Sequence, residues 1–310
     1  VKFAYHLDKK ITEVLAENNF TLSAEVVPPR NGAEEDVVLD NIERLHLAGA
    51  DFLAVTKGAG GSLRGGTLPI SQSIKEFLGI PCIAHFTCRD LTPKEVENSL
   101  MDHHYFAIRN ILALRGDPPM DNPNRVAKEG SYKYAHELIS HIKNLNQGIY
   151  LSRPEERSTA PRHPTDFCIG AAAYPDQSIK GKNFEYFQQK VEAGAEFAIT
   201  QMLFNPENYA EFMELCAKNK LDIPIIPGTK ILQSQTQAHL MCTRFGVGIS
   251  QTYLNALPEK KADSYDQALT AFYALIERLR ELGAPGVHLF VLSDIEVAFQ
   301  AIKHMHAEYA

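Results

Sequence analysis

The 310-residue chain has room for one large α/β barrel or for two ordinary domains. Its composition, 45% hydrophobic and 22% charged with 19 Gly and 17 Pro, is that of a globular protein and excludes collagen-like, low-complexity and disordered classes. With 31 Lys and Arg against 38 Asp and Glu the formal net charge is -7, so no overall basic field recruits nucleic acid or anionic lipid, and any phosphate must be gripped by a few local cations.

In chain order, the stretch Val1 to Asn19 mixes Lys2, Asp8, Lys9, Lys10 and Glu13 with apolar residues. It lacks the core of a signal peptide, and a short helix is expected over about Asp8 to Asn18. Short apolar runs then recur at Phe20 to Val27, Phe52 to Thr56, Cys82 to Thr87 and Asn110 to Arg115. Four more follow at Phe167 to Ala173, Phe197 to Leu203, Ile223 to Pro227 and Val287 to Leu292. Between most of them lie amphipathic stretches of helical length: Glu34 to Leu47, Pro93 to Phe106, Tyr134 to Leu145, Phe184 to Ala193 and Pro206 to Lys218.

A quasi-repeat, Ala48-Gly49-Ala50-Asp51-Phe52 and Ala193-Gly194-Ala195-Glu196-Phe197, places a helix-ending glycine before a strand in two of these units. The Pro-rich connection Gly148 to Asp166 reads as a surface loop, and Lys230 to Leu282 holds two or three helices. Strand and helix alternating eight times predict a (β/α)8 barrel, a single domain over residues 1–310 with an N-terminal helix and a closing C-terminal helix. Five cysteines form no C-x-x-C pair and no apolar run is long enough to span a bilayer, so a cytoplasmic, reducing environment is expected.

Ligands of such barrels sit at the C-terminal ends of the strands, so polar residues there carry the information. Glu25 interrupts the first apolar run; Thr56 and Lys57 end the second; His85 and Thr87 lie in the third. Arg115-Gly116-Asp117 closes the fourth, Tyr174-Pro175 the fifth, and Thr200-Gln201 falls in the sixth. Convergence of acid, base, amide and guanidinium points to an enzyme. Buried, Glu25 is either a protonated general acid or the partner of a cation such as Arg30 or Lys57; it could also face outward. Arg115 offers a fork for phosphate, Gly116 permits close backbone approach, and Asp117 sets a negative charge at the mouth. His85 and Gln201 are ambiguous between core and ligand contacts.

Glycine-rich Lys57 to Gly61 lacks the third glycine of a dinucleotide fingerprint, and neither a P-loop nor H-E-x-x-H occurs. No metal is expected, and His103-His104 and His304-Met305-His306 read as solvated helix faces.

In order, Ser23 to Arg30, Val55-Thr56, Ala84 to Cys88, Ala113 to Asp117, Ala172 to Pro175, Lys190 to Ala195, Ile199 to Gln201 and Ile225 to Gly228 resemble the bacterial methylenetetrahydrofolate reductases, flavin-containing (β/α)8 barrels of one-carbon metabolism. The likeness covers nearly the whole chain. It implies a reaction in two halves: NADH or NADPH reduces bound FAD, and 5,10-methylenetetrahydrofolate then takes hydride to become 5-methyltetrahydrofolate. It further implies that Glu25 is the general acid, that Asp117 lies beside flavin and pterin, and that Gln201 and, less directly, Gln237 touch the folate. Thr56, His85, Arg115, Gly116, Tyr134, Ala135, Ala172, Tyr174 and Lys190 fall on FAD positions, and a homo-oligomer is implied.

The chain departs from the family pattern at Asp176-Gln177-Ser178, Asn183, Thr229-Lys230-Ile231 and Ser293-Asp294, the last of which takes away a cation expected near the folate. Two other readings stay open: a related barrel reductase served directly by nicotinamide or by a partner protein, and a non-catalytic barrel that binds folate or a partner.

Overall fold

The apolar runs pair as parallel strands whose two faces are both covered, which is why they read as continuous rather than alternating. A computed structural model describes residues 5–31, 33, 35–58, 65–119, 122–152, 161–178, 184–262, 264–292 and 294–309. Strands β1 (Thr21–Val26), β2 (Phe52–Val55), β3 (Cys82–Thr87), β4 (Asn110–Leu114), β5 (Cys168–Ala173), β6 (Phe197–Met202), β7 (Ile225–Thr229) and β8 (Gly286–Phe290) close in sequence order into one barrel. The expected (β/α)8 architecture is therefore the observed one.

The helices are α1 (Ile11–Glu17), α2 (Glu35–Leu47), α3 (Thr67–Ser73), α4 (Pro93–Tyr105), α5 (Ala135–Asn146) and α6 (Pro175–Ser178). They continue with α7 (Phe184–Glu192), α8 (Pro206–Lys218), α9 (Gln235–Phe245), α10 (Gln251–Ala256), α11 (Asp266–Glu281) and α12 (Ile295–Tyr309). Local chemistry sets the boundaries. Thr92 caps α4 with its hydroxyl on Glu95 N–H, Glu95 answers on Thr92 N–H at 2.7 Å, and Pro93 fills the first helical turn.

Three of the differences from expectation are informative. Strand β7 starts at Ile225, two residues later than predicted, because Pro224 has no N–H and contributes only its carbonyl, accepting from Ala198 N–H at 2.9 Å. The β6–β7 ladder also shifts register between Ile199 and Met202, and there the Thr200 hydroxyl accepts from Gly228 N–H at 2.8 Å. The third is α3 with the π-helical turn Ile74–Leu78 that follows it, which was not anticipated: Thr67, Ser71, Ser73 and Pro69 give the segment little helical propensity of its own, and burial of Ile70 and Ile74 holds it.

Inside the barrel the floor is apolar. Phe52, Ile83, Cys168, Phe197 and Ile226 pack with Ile11 and Val14 of α1, which lies across the N-terminal ends of the strands. Asp8 and Asn110 bolt α1 in place. Asn110 Nδ2 donates to Asp8 Oδ2 at 2.9 Å, and its Oδ1 accepts from Ile11 N–H at 2.9 Å. Burial pushes the Asp8 carboxyl up to about 7.

Candidate active site

Alternation along β1 places Ser23 and Glu25 on the inner face, and the neighbouring strands add Thr56, His85 and His288 to the same interior. Glu25 is 9% exposed, and its Oε2 lies 3.6 Å from His85 Nε2, too far for a hydrogen bond. Burial pushes the Glu25 carboxyl up to about 8 and the His85 imidazole down to about 4. Between these limits both are neutral: an acid with its proton beside an uncharged ring. Among the described residues no ion pair joins Glu25 to Arg30 or Lys57, both of which are exposed. The cation-partner alternative for Glu25 is thus not what the fold builds.

The mouth gathers charge around Tyr174. Lys190, on the inner side of α7 and 9% exposed, donates to Ala172 O at 2.8 Å and sits 5.3 Å from the centre of the Tyr174 ring. Its ammonium is pushed down to about 8, first by burial and then by the Arg115 guanidinium. Burial and the Asp117 charge raise the Tyr174 phenol, with Arg115 opposing, so Arg115, Asp117, Tyr174 and Lys190 share one electrostatic neighbourhood. Gly116 has φ 90°, in the left-handed region, and a Cβ there would meet the Cβ atoms of Arg89 and Thr87 at 3.2 Å. That glycine lets the loop turn between two exposed charged side chains.

The other expected residues separate. Thr56 is buried, and its Oγ1 has no hydrogen-bond partner among the described residues. Gln201 lines a small pocket with Tyr174, Pro175 and Met202; its Oε1 accepts from Met202 N–H at 2.8 Å, which leaves the NH2 group to donate. Ala135 is buried at the start of α5, whereas Tyr134 is 41% exposed and stacks at 5.5 Å on Tyr186. Gln237 spends its Oε1 on Gln233 N–H at 2.7 Å, bracing the first turn of α9, so only its NH2 is left for another partner.

The positions that depart from the family pattern have definite places. Asp176 is buried, accepting from Asn208 Nδ2 at 2.7 Å and from Gly248 N–H at 2.5 Å, and so ties α6 to α8 and to the turn after α9. Lys230, 3% exposed, forms an ion pair with Asp294. The Asp294 carboxylate is matched by a cation from the end of the neighbouring strand, and the pair brings no net positive charge to the mouth. Asn183 and Ser293 lie outside the described residues, as do 153–160 of the Pro-rich connection.

Sequence reasoning missed His288, which is 1% exposed on β8. The available signal was parity: β1 and β8 pair with Ser23 opposite His288, so the two polar residues share the barrel interior. It also misplaced His103, which is 4% exposed, donates from Nδ1 to Ser99 O at 2.7 Å and meets the Phe86 ring edge-on. His304 and His306 are exposed as expected. Among the described residues no group of three or more His, Cys, Asp or Glu side chains is placed to hold a metal, and no helix is long and apolar enough to cross a membrane.

Comparison with known proteins gives concordant results. The family model described as methylenetetrahydrofolate reductase matches residues 10–306. The 5,10-methylenetetrahydrofolate reductase of Buchnera aphidicola subsp. Acyrthosiphon pisum is 29% identical over 308 residues, covering 95% of this chain and 95% of that protein. The Escherichia coli K12 protein of the same name is also 29% identical over 308 residues, covering 96% of this chain and 94% of the relative. Among solved structures, an uncharacterized protein from Clostridium thermocellum, described as binding two copies of 5-methyl-5,6,7,8-tetrahydrofolic acid, superposes with a TM-score of 0.60 at 18% identity. That match covers 96% of this chain and 99% of the other, and at such identity it speaks for the fold.

Proposed function

The chain belongs to the methylenetetrahydrofolate reductase family, and from that premise we propose that it reduces 5,10-methylenetetrahydrofolate to 5-methyltetrahydrofolate by ping-pong hydride transfer through FAD, with NADH or NADPH as the donor. The observation that carries this reading is the uncharged Glu25 inside the barrel, beside an equally uncharged His85. Opening the five-membered ring of the folate requires a proton on the leaving nitrogen, and a carboxyl still protonated at neutral pH can give it.

The residues at the mouth fit a flavin dinucleotide. Lys190 and Arg115 are two cations beside one aromatic ring, suited to a diphosphate, and Thr56 presents a buried hydroxyl with no partner among the described residues. His85, Gly116, Tyr134, Ala135, Ala172 and Tyr174 complete the set that would hold the cofactor. When bound, FAD supplies a two-electron carrier between nicotinamide and folate. Asp117 puts a negative charge where the ring-opened folate is cationic, and Gln201 turns its NH2 toward an acceptor on the pterin. Gln237, with one amide group left over, is a second folate contact. The same family likeness supports a homo-oligomer acting in the cytoplasm.

The test is a comparison of half-reactions. Purified protein should carry a flavin absorption band that NADH or NADPH bleaches anaerobically. In Glu25→Gln the bleaching should persist, while reoxidation by methylenetetrahydrofolate falls at least about 100-fold, the scale of a lost general acid. A colourless protein, or a Glu25→Gln variant reoxidised at the wild-type rate, refutes the scheme.

A further inference from the structure

Lys230 and Asp294 stand where β7 and β8 reach the rim of the barrel. Gly228 lies opposite His288 and Thr229 opposite Leu289, so Lys230, one residue on, falls level with Phe290 and hence with Glu25, the register partner of Phe290. Alternation turns it to the same side as Gly228, where a Cβ would meet the Phe290 ring at 2.5 Å. The Lys230 side chain is 3% exposed and is paired with Asp294, whose side chain is 22% exposed. The cation is thus the inner member of the pair and the carboxylate the outer one.

Asp294 is held from several sides. Its N–H donates to Val291 O at 3.0 Å, its carbonyl accepts from Ala298 N–H at 3.2 Å in the first turn of α12, and the Lys230 ammonium donates to its Oδ2. Arg30 and Lys57, beyond β1 and β2, are exposed, so the charge pinned in place on this side of the rim is that of Asp294. The floor built by α1, Asp8 and Asn110 closes the other end of the barrel. A folate whose pterin reaches Glu25 and Gln201 therefore leaves its aminobenzoyl-glutamate tail pointing out of the mouth. Arg115 at the end of β4, with Tyr174 and Lys190, takes the side given to the cofactor, and Gln237 opens the side of β7. The tail passes the ends of β7 and β8.

We propose that Asp294, pinned by Lys230, is a specificity-determining residue that selects folates bearing one glutamate over those extended by a γ-linked polyglutamate chain. The placement of the folate rests on the reductase reading above. Each added glutamate brings one more carboxylate to the outer, negative end of the pair. At a wet rim such repulsion is modest and is screened by salt, which makes it separable from a purely structural effect of the pair. Lys230 is the positioning residue: it fixes the Asp294 side chain and keeps its own charge on the inner side, away from the extended tail.

The test is calorimetric titration of the purified protein with 5-methyltetrahydrofolate carrying one or three glutamates, with turnover of the matching methylene forms beside it. At about 20 mM salt the wild type should bind the monoglutamate about 5-fold more tightly than the triglutamate. The ratio should approach one at about 500 mM, where the screening length is about 4 Å, and in turnover it should appear in KM. Lys230→Asp combined with Asp294→Lys keeps a pair but turns its outer end positive, and should reverse the preference. Lys230→Met combined with Asp294→Asn removes both charges, and the two ligands should bind alike. Equal affinities in the wild type at low salt, or a preference unchanged in both double variants, overturns the proposal. A wild type that shows the salt-dependent preference but does not reduce the methylene form leaves Asp294 in its role and refutes the reductase reading; failure to bind either folate overturns both.

Discussion

A buried ammonium is tolerable only while its counter-charge stays in place, and Lys230 is nearly inaccessible with Asp294 beside it. Asp294→Asn should therefore destabilise the protein by about 3 kcal/mol, the usual cost of stranding one member of such a pair. Adding Lys230→Met to that variant should return part of the loss, which a double-mutant cycle in urea would measure. Equal stability of Asp294→Asn and wild type would show that the pair is solvated and energetically idle. Glu25, Arg115 and Lys190 were legible as polar breaks in or near apolar runs. Lys230 and Asp294 were visible only as two unrelated departures, because 64 positions separate them in the sequence and only closure of the barrel brings them together. His288 escaped because it lies within the apolar run Val287 to Leu292; its register opposite Ser23 across the β1–β8 seam is what turns it into the barrel.

At the scale of an element, β7 shows how a strand is shaped by what packs over it. A Cβ on Gly228 would stand 2.4 Å from Thr200 O and 2.5 Å from Phe290 Cε2, so the backbone of β6 and the ring from β8 both occupy that space. The carbonyl cannot move without breaking the ladder. Gly228→Ala should cost about 2–3 kcal/mol by chemical denaturation, as overpacked core positions do; a neutral substitution would mean that the β6–β7 irregularity absorbs a methyl group. The helices whose apolar periodicity was clear, α2, α4, α5, α7 and α8, match expectation within a residue or two. The exceptions have physical causes: α3 is held by burial against weak propensity, and β7 is displaced by proline chemistry that periodicity does not register.

The pH dependence of stability belongs to the molecule as a whole. Folding raises the Glu25 midpoint from 4.5 to about 8, so across that interval the folded protein holds a proton that the unfolded chain releases. Its contribution to stability thus declines as pH rises through the interval and is fully lost above about 8. In Glu25→Gln that decline is absent. The variant's melting temperature relative to wild type should climb from pH 5 to pH 8 and level off beyond, and a constant difference over the range would contradict the buried, protonated state. His85 and His288 act on the acid side: their midpoints are depressed, so the stability they confer as neutral rings is lost as pH falls below about 6.5.

The floor built by α1, Asp8 and Asn110 closes the barrel at the end opposite the mouth. The chamber is a cul-de-sac. Among the described residues the approach to Glu25 is from the mouth, with Arg115 and Lys190 on one side and the Lys230–Asp294 pair on the other. On the proposed scheme nicotinamide and folate share that approach, so each in excess should compete with the other.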